Sequence, residues 1–290
     1  MPADHTVLLQ AGRFALSLAP AVGGSVSWFR CDGRPVLRDG DPAAADPLRM
    51  AAFPLIPFAG RIDQGRFEFA GLQVRLPPNL PPEPHAIHGQ AWQSPWRVEA
   101  ATTDRAVLGY EHAPDAWPWR YRACQTFVLD GDGLKVDLAV TNLAATAMPA
   151  GLGWHPYFPA AGARLEADVG VLWPASAGEA RPLKAGERAD LRRERAVAGL
   201  DLDHVYSAGP RGARLTWPGR QVAVHASPEL AYLVVYAPKG ADHFCVEPWS
   251  HVPDAVNRPS AGTGLRVLAP GETLSASVFL GVAGTPPPAD

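Results

Sequence analysis

The chain has 290 residues, of which 47% are hydrophobic and 19% charged, and its formal net charge is −3. This length and apolar content can build one large core, so we expect a single domain over residues 1–290. Acidic and basic residues are interspersed, which leaves no basic face for a nucleic-acid backbone or an anionic membrane. We therefore expect a small, weakly charged partner.

The cysteines and the N-terminal residues indicate the cellular compartment in which the protein is expected. Cys31, Cys124 and Cys245 are odd in number and widely separated, which argues against a disulfide framework and against a zinc cluster. The N-terminus lacks a basic segment followed by an apolar one, and no stretch reaches the roughly 18 apolar residues of a membrane span. We expect a cytoplasmic protein, present as a monomer or a weak homodimer.

Alternation of apolar and polar residues with period two dominates the chain, as in residues 134–141, which read as a half-buried strand. Turn residues separate strand-like segments at four places, which predicts four hairpins. They lie at 32–33, 70–71, 130–133 and 218–219. The pattern predicts an all-β fold, a large antiparallel β-sandwich. Residues 176–199, rich in Ala and charge, are interpreted as a surface excursion that could include one short helix.

Two stretches in the first third of the chain could carry chemistry. In "FPLIPFAGRIDQGRFEF" (53–69), Arg61 follows a buried-looking apolar run, although an arginine at a strand end is usually solvated. In "PHAIHGQAW" (84–92), His85 and His88 have a spacing that is open to a metal. No Cys, Asp or Glu stands at ligand spacing beside them, so we favour one inward-facing imidazole without a metal.

Two later stretches hold an imidazole and a carboxylate in apolar settings. In "LGWHPYFPA" (152–160), His155 is either a core histidine with both nitrogens satisfied or a proton donor tuned by burial. In "FCVEPWSHVPDAVNRP" (244–259), Glu247 is either the partner of an arginine or a base whose pKa is raised by loss of water. Both groups on rigid strands are what a proton-shuttling reaction needs, so together they favour catalysis.

Taken in order, these stretches resemble the aldose 1-epimerase (galactose mutarotase) family. The similarity covers nearly the whole chain, and the forms are most like those of bacterial mutarotase-like proteins. It is carried by "AGRFALSLAPAVGGSVSWF", "GRIDQGRF", "HAIHG", "GWHPYF", "LDLDHVY" and "EPWSHVPDAVN". The resemblance implies a β-sandwich of the galactose mutarotase type that binds a sugar and uses no cofactor.

The resemblance also implies roles for single residues. Glu247 would be the general base and His155 the general acid of an aldose 1-epimerase. His88 would orient the substrate and stabilise charge, and Arg61 and Asp203 would hydrogen-bond the sugar hydroxyls. No residue is assigned to a metal.

The sequence departs from the family pattern at one position, and two alternative functions stay open. Many members have Asn directly before the motif arginine, where this chain has Gly60, so a polar contact to the sugar is missing and the substrate preference should be shifted. A hexose-6-phosphate 1-epimerase would need clustered Arg or Lys near the cleft, yet only Arg61 is placed there by a motif. A non-catalytic carbohydrate-binding protein of the same fold would not need a buried acid and base. The role of His85 stays open.

Overall fold

The computed structural model describes residues 6–41, 43–173, 179–258 and 262–284. In the first half of the chain the strands are Val7–Ala11 (β1), Phe14–Ala19 (β2), Ser25–Cys31 (β3), Arg34–Pro35 (β4), Ala52–Leu55 (β5), Arg61–Ile62 (β6), Arg66–Phe69 (β7), Leu72–Arg75 (β8), Ala86–Ile87 (β9), Arg97–Ala101 (β10), Arg105–His112 (β11), Tyr121–Leu129 (β12) and Gly133–Asn142 (β13).

The second half continues with Met148–Ala150 (β14), Gly153–Pro159 (β15), Arg164–Trp173 (β16), Arg181–Pro182 (β17), Arg195–Ala196 (β18), Leu202–Trp217 (β19), Arg220–Ala226 (β20), Tyr232–Ala237 (β21), His243–Trp249 (β22), Arg266–Leu268 (β23) and Thr273–Ala283 (β24). Short 3₁₀ helices lie at Pro47–Arg49, Asp63–Gly65, Ala91–Gln93 and Ala255–Asn257. The all-β prediction is confirmed.

A large antiparallel sheet of 18 strands forms the body of the fold. The long strand β19 joins two ladders, because its first part pairs with β21 and its last part pairs with β20. From β21 one ladder continues through β22 and β15 to β5. From β20 the other continues through β24, β13 and β12 to β11. The first of these two ladders carries the candidate site.

Two hydrophobic clusters lie against this sheet, and strand β15 contributes to both. Trp154 and Phe158 belong to the large cluster that forms the main core. Tyr157 belongs to a smaller cluster that also holds Phe53 and Trp249. Successive side chains of a strand point to opposite faces, so His155 shares the face of Tyr157 rather than that of Trp154. The apolar residues around His155 therefore contribute to both hydrophobic clusters.

The four predicted hairpins are confirmed. The turns connect β3 with β4, β7 with β8, β12 with β13, and β19 with β20. In the first of them Asp32 and Gly33 have φ of 50° and 73°. Positive φ at both central residues of a two-residue turn matches the right-handed twist of the flanking strands.

The surface excursion predicted for residues 176–199 is described from residue 179 onward. There it forms two short strands, β17 and β18, each pairing with β16, and no helix lies within residues 179–199. The sequence "ARPLKAGERADLRRERA" is broken by a proline and a glycine, which oppose helix formation. Within the described ranges, no helix is long and apolar enough to cross a membrane.

Candidate active site

Cross-strand register brings the acid and base candidates together. Gly153 pairs with Trp249, and Tyr157 pairs with Cys245, so His155 on β15 and Glu247 on β22 lie midway between these two pairs. The Nε2 atom of His155 is 3.3 Å from Oε1 of Glu247. Direct neighbours on one face of a sheet must contact one another, so the pairing of β15 with β22 creates this pair.

Both members of the pair are buried among apolar groups. His155 is 7% exposed and Glu247 is 2% exposed. The other carboxylate oxygen of Glu247, Oε2, accepts a hydrogen bond of 3.1 Å from the indole Nε1 of Trp249. The ring of His155 packs against Phe53 and Tyr157, each with a centroid separation of 4.6 Å. The pair is thus held rigidly by aromatic neighbours.

Burial shifts both protonation equilibria toward the uncharged forms. Loss of water raises the pKa of Glu247 well above its ordinary value, although the hydrogen bond from Trp249 and the nearby charge of Arg61 oppose the rise. Loss of water also lowers the pKa of His155 to about 3, with Arg38 and His243 adding like-charge repulsion. Both shifts favour a neutral carboxyl group and a neutral imidazole, and transfer of a proton from Glu247 to His155 across the contact would give the carboxylate and the imidazolium.

The hydrogen bonding of His155 differs from that of a fully satisfied core histidine. The Nδ1 atom of His155 is buried and has no hydrogen-bond partner among the described residues. His251, in contrast, accepts from the backbone N–H of Ala59 through Nε2 and contacts the carbonyl of Val252 through Nδ1. The satisfied core histidine of this region is therefore His251.

His88 is placed beside the pair by the short ladder of β6 and β9. The backbone N–H of Gly60 donates to Nδ1 of His88 over 3.0 Å, and the backbone N–H of His88 donates to the carbonyl of Gly60 over 2.9 Å. Its ring lies 5.7 Å from that of His155, nearly perpendicular to it. Burial lowers the pKa of His88 well below its usual value. A neutral ring that accepts at Nδ1 carries its proton on Nε2, so His88 offers the site a hydrogen-bond donor.

Arg61 and Asp203 lie close to each other and near Glu247. The guanidinium of Arg61 makes two contacts with Glu83, at 3.3 and 3.0 Å, and its NH2 atom is 3.7 Å from Oδ2 of Asp203. Asp203 is 46% exposed at its side chain, so its carboxylate is accessible to a bound molecule. The register of β19, β21 and β22 places Asp203 in line with Tyr236 and Cys245.

The two histidines of the "HAIHG" stretch do not meet. His85 accepts from the backbone N–H of Gln64 at Nδ1, and that atom is 3.3 Å from a carboxylate oxygen of Asp63. His88 turns inward with φ of 64°. His85 therefore contacts the turn that follows Arg61.

Three side chains that could act as metal ligands lie close together at the His155–Glu247 pair. Donor atoms of His155, Cys245 and Glu247 lie within 4.8 Å of one another. Burial raises the pKa of the Cys245 thiol well above its usual value, which keeps it protonated. The pairing of β15 with β22 brings these three side chains together.

Two of the aromatic residues in these motifs belong to the buried cluster that surrounds the pair. Trp92 and Trp249 are in the smaller cluster, whereas Trp154 and Phe158 are buried in the main core. Phe53 and Glu83 also contact the candidate residues, and the sequence patterns do not predict them. Phe53 stands opposite His155 on β5, a neighbour that only the register reveals. Glu83 lies in an irregular segment, and no pattern in the sequence links it to Arg61.

Position 60 has no room for a side chain. Gly60 has φ of +72°, and a Cβ there would lie 2.5 Å from Cζ3 of Trp249. The indole therefore occupies the space that a side chain at position 60 would need.

The antiparallel β-sandwich thus carries a buried carboxylate and imidazole next to an arginine and an aspartate. The model of the family described as aldose 1-epimerase matches residues 5–280. The chain belongs to this family.

Several relatives share the fold over nearly their full length. YphB of Escherichia coli strain K12 is 33% identical over 277 residues, which is 90% of this chain and 93% of YphB. A crystal structure from Escherichia coli K12 has a TM-score of 0.87 at 31% identity, covering 97% of this chain and 99% of that chain. A galactose mutarotase-like protein from Clostridium acetobutylicum has the same TM-score at 21% identity, covering 97% and 95% of the two chains.

Proposed function

We propose that the chain interconverts the α and β anomers of a free aldose. The observation that carries this proposal is the 3.3 Å contact between Nε2 of His155 and Oε1 of Glu247 in a buried setting. The hydroxyl on C1 and the ring oxygen of an aldose are bonded to the same carbon. Two proton-transferring atoms at this separation can therefore reach both oxygens of one hemiacetal.

Anomerisation needs only proton transfers and the breaking and re-forming of one C–O bond. Glu247, as carboxylate, takes the proton of the C1 hydroxyl while His155, as imidazolium, protonates the ring oxygen. The bond between C1 and the ring oxygen breaks, and C1 becomes an aldehyde carbon. After rotation about the C1–C2 bond, the ring oxygen attacks the other face of C1 and both protons return. Nothing is oxidised or reduced, so the reaction requires no redox cofactor.

The neighbours of the pair match what this reaction needs. The Nε2–H of His88 would donate to the oxygen on which charge develops, a contribution that is strongest where water is excluded. Arg61 and Asp203 would bind hydroxyl groups and fix the position of the ring.

The charges around Arg61 favour a neutral substrate over a sugar phosphate. Arg61 already contacts two carboxylates, those of Glu83 and Asp203. A phosphate monoester would have to displace these partners, and the two acidic groups would repel it. This charge balance favours a free aldose over a hexose 6-phosphate, and the buried proton pair favours catalysis over simple sugar binding.

The test is an anomerisation assay on a panel of free aldoses and their 6-phosphates. A freshly dissolved single anomer is followed by polarimetry, or the equilibrium is followed by exchange NMR. Faster equilibration of a free aldose supports the proposal. Acceleration confined to phosphates would favour the 6-phosphate alternative, and binding without acceleration on every sugar would favour a carbohydrate-binding protein.

A further inference from the structure

The indole of Trp249 lies in a space that two glycines leave open. A Cβ at Gly60 would be 2.5 Å from the indole Cζ3, and a Cβ at Gly153 would be 2.9 Å from its Cδ1. Contacts this short are essentially never seen for real Cβ atoms. Trp249 is only 4% exposed, so it has little room to move aside. Both positions must lack a side chain for this indole to adopt its place.

With the indole in this place, the two carboxylate oxygens of Glu247 have different partners. Its Nε1–H donates to Oε2 over 3.1 Å, whereas Oε1 faces Nε2 of His155 at 3.3 Å. An indole N–H can only donate, so it selects an oxygen that carries no proton. Trp249 stands two residues after Glu247 on β22, which puts both side chains on one face of the sheet.

We propose that Trp249 is a positioning residue that holds Oε2 of Glu247 and leaves Oε1 as the oxygen that exchanges protons. The inference rests on the proposed function in one respect, namely that Glu247 is the base. Without the donor, either oxygen could carry the proton and the carboxyl group could rotate. With the indole N–H in place, the proton that enters or leaves Glu247 is confined to Oε1, the oxygen that faces His155.

A hydrogen bond to a carboxylate also stabilises its charged form against burial. Other ionisable groups around Glu247 stay in place when only the indole changes. They are His155 on β15, Tyr157 on β15, Asp203 on β19, Tyr236 on β21, Cys245 on β22 and Arg61 on β6, with His88 packed edge-on against Trp249. A change in the titration of Glu247 that occurs in Trp249→Phe but not in the control variant is therefore assigned to the lost N–H.

The test replaces Trp249 with Phe, which keeps a ring in the space and removes the donor. The matched control is Trp154→Phe. Trp154 is also fully buried, but its Nε1 has no hydrogen-bond partner in the described structure. For Trp249→Phe we expect kcat to fall by about 10-fold to 100-fold with KM within about twofold. The pH limb that reports ionisation of Glu247 should move up by about one to two pH units. Trp154→Phe should change neither.

A second readout does not depend on turnover. The infrared carbonyl band of protonated Glu247, assigned by its loss in Glu247→Gln, is titrated in the wild-type protein and in both tryptophan variants. The band should persist to higher pH in Trp249→Phe alone. An unchanged titration in Trp249→Phe, or an equal shift in Trp154→Phe, would overturn the proposal. If the wild-type protein accelerates no aldose, the proposed function fails, while this titration still decides whether Trp249 acts on Glu247.

Discussion

The substitutions Glu247→Gln and His155→Asn test the proton pair most directly. Each keeps a polar side chain and removes one proton transfer. General acid or base catalysis typically contributes about 10²-fold to 10⁴-fold, so each variant should lose at least about 100-fold in kcat. Because both residues act on one concerted step, the double variant should be little worse than the poorer single variant.

The two variants should differ in stability. Gln at position 247 retains an oxygen that can accept from Nε1 of Trp249, so the fold should change little. Asn at position 155 is smaller than the imidazole and leaves space beside Phe53 and Tyr157, which should cost roughly 1–3 kcal/mol. Activity must therefore be expressed per folded molecule, with the folded fraction measured by circular dichroism at the assay temperature.

A matched control is available in His112→Asn. His112 is 3% exposed and its ring stacks on Tyr121 with a centroid separation of 4.8 Å, but it lies on β11, away from the site. This variant should lose stability to a similar degree and keep its activity per folded molecule. If His155→Asn behaves like His112→Asn, with normal turnover by the folded fraction, His155 has no part in catalysis.

Four further predictions concern the surroundings of the pair. Arg61→Ala should raise KM and lower kcat, reducing kcat/KM by about 10-fold to 100-fold, and an unchanged kcat/KM would remove Arg61 from the site. Prolonged dialysis against a chelator should leave the rate unaltered; loss of activity that added metal restores would contradict the proposed mechanism. Gly60→Ala should displace Trp249 and lower the melting temperature more than Gly71→Ala, where a Cβ meets nothing within 4 Å; equal effects would show that Trp249 does not need the space. The pKa of His155 is depressed in the folded state, so its contribution to stability is present above about pH 6.5 and lost as pH falls toward its folded pKa of about 3. Melting curves should therefore show a shallower loss of stability between pH 6.5 and 4 in His155→Asn than in the wild-type protein, and parallel losses would contradict the depressed pKa.

The prediction of the fold from sequence relied on signals that are local. Period-two alternation and turn residues such as Asp32-Gly33 specify strands and hairpins within a few residues, and the structure has them where the pattern places them. The helix suggested for part of 176–199 had no such signal, only a composition rich in Ala and charge. Composition without hydrophobic periodicity does not require a helix, and residues 179–199 pair in short strands with β16 instead.

The site could be predicted as a set of residues but not as a geometry. His155 and Glu247 each follow from a local motif, yet their 3.3 Å contact depends on β15 pairing with β22, which no local pattern encodes. The same holds for Glu83, whose position beside Arg61 comes from a loop without regular structure.

The role of Gly60 is evident only from the three-dimensional structure. In the sequence it is the loss of a family asparagine, whereas in three dimensions it makes room for an indole that donates to Glu247. Positions 60 and 249 are therefore coupled. Restoring Asn at position 60 alone should damage the site, because its side chain and Trp249 require the same space.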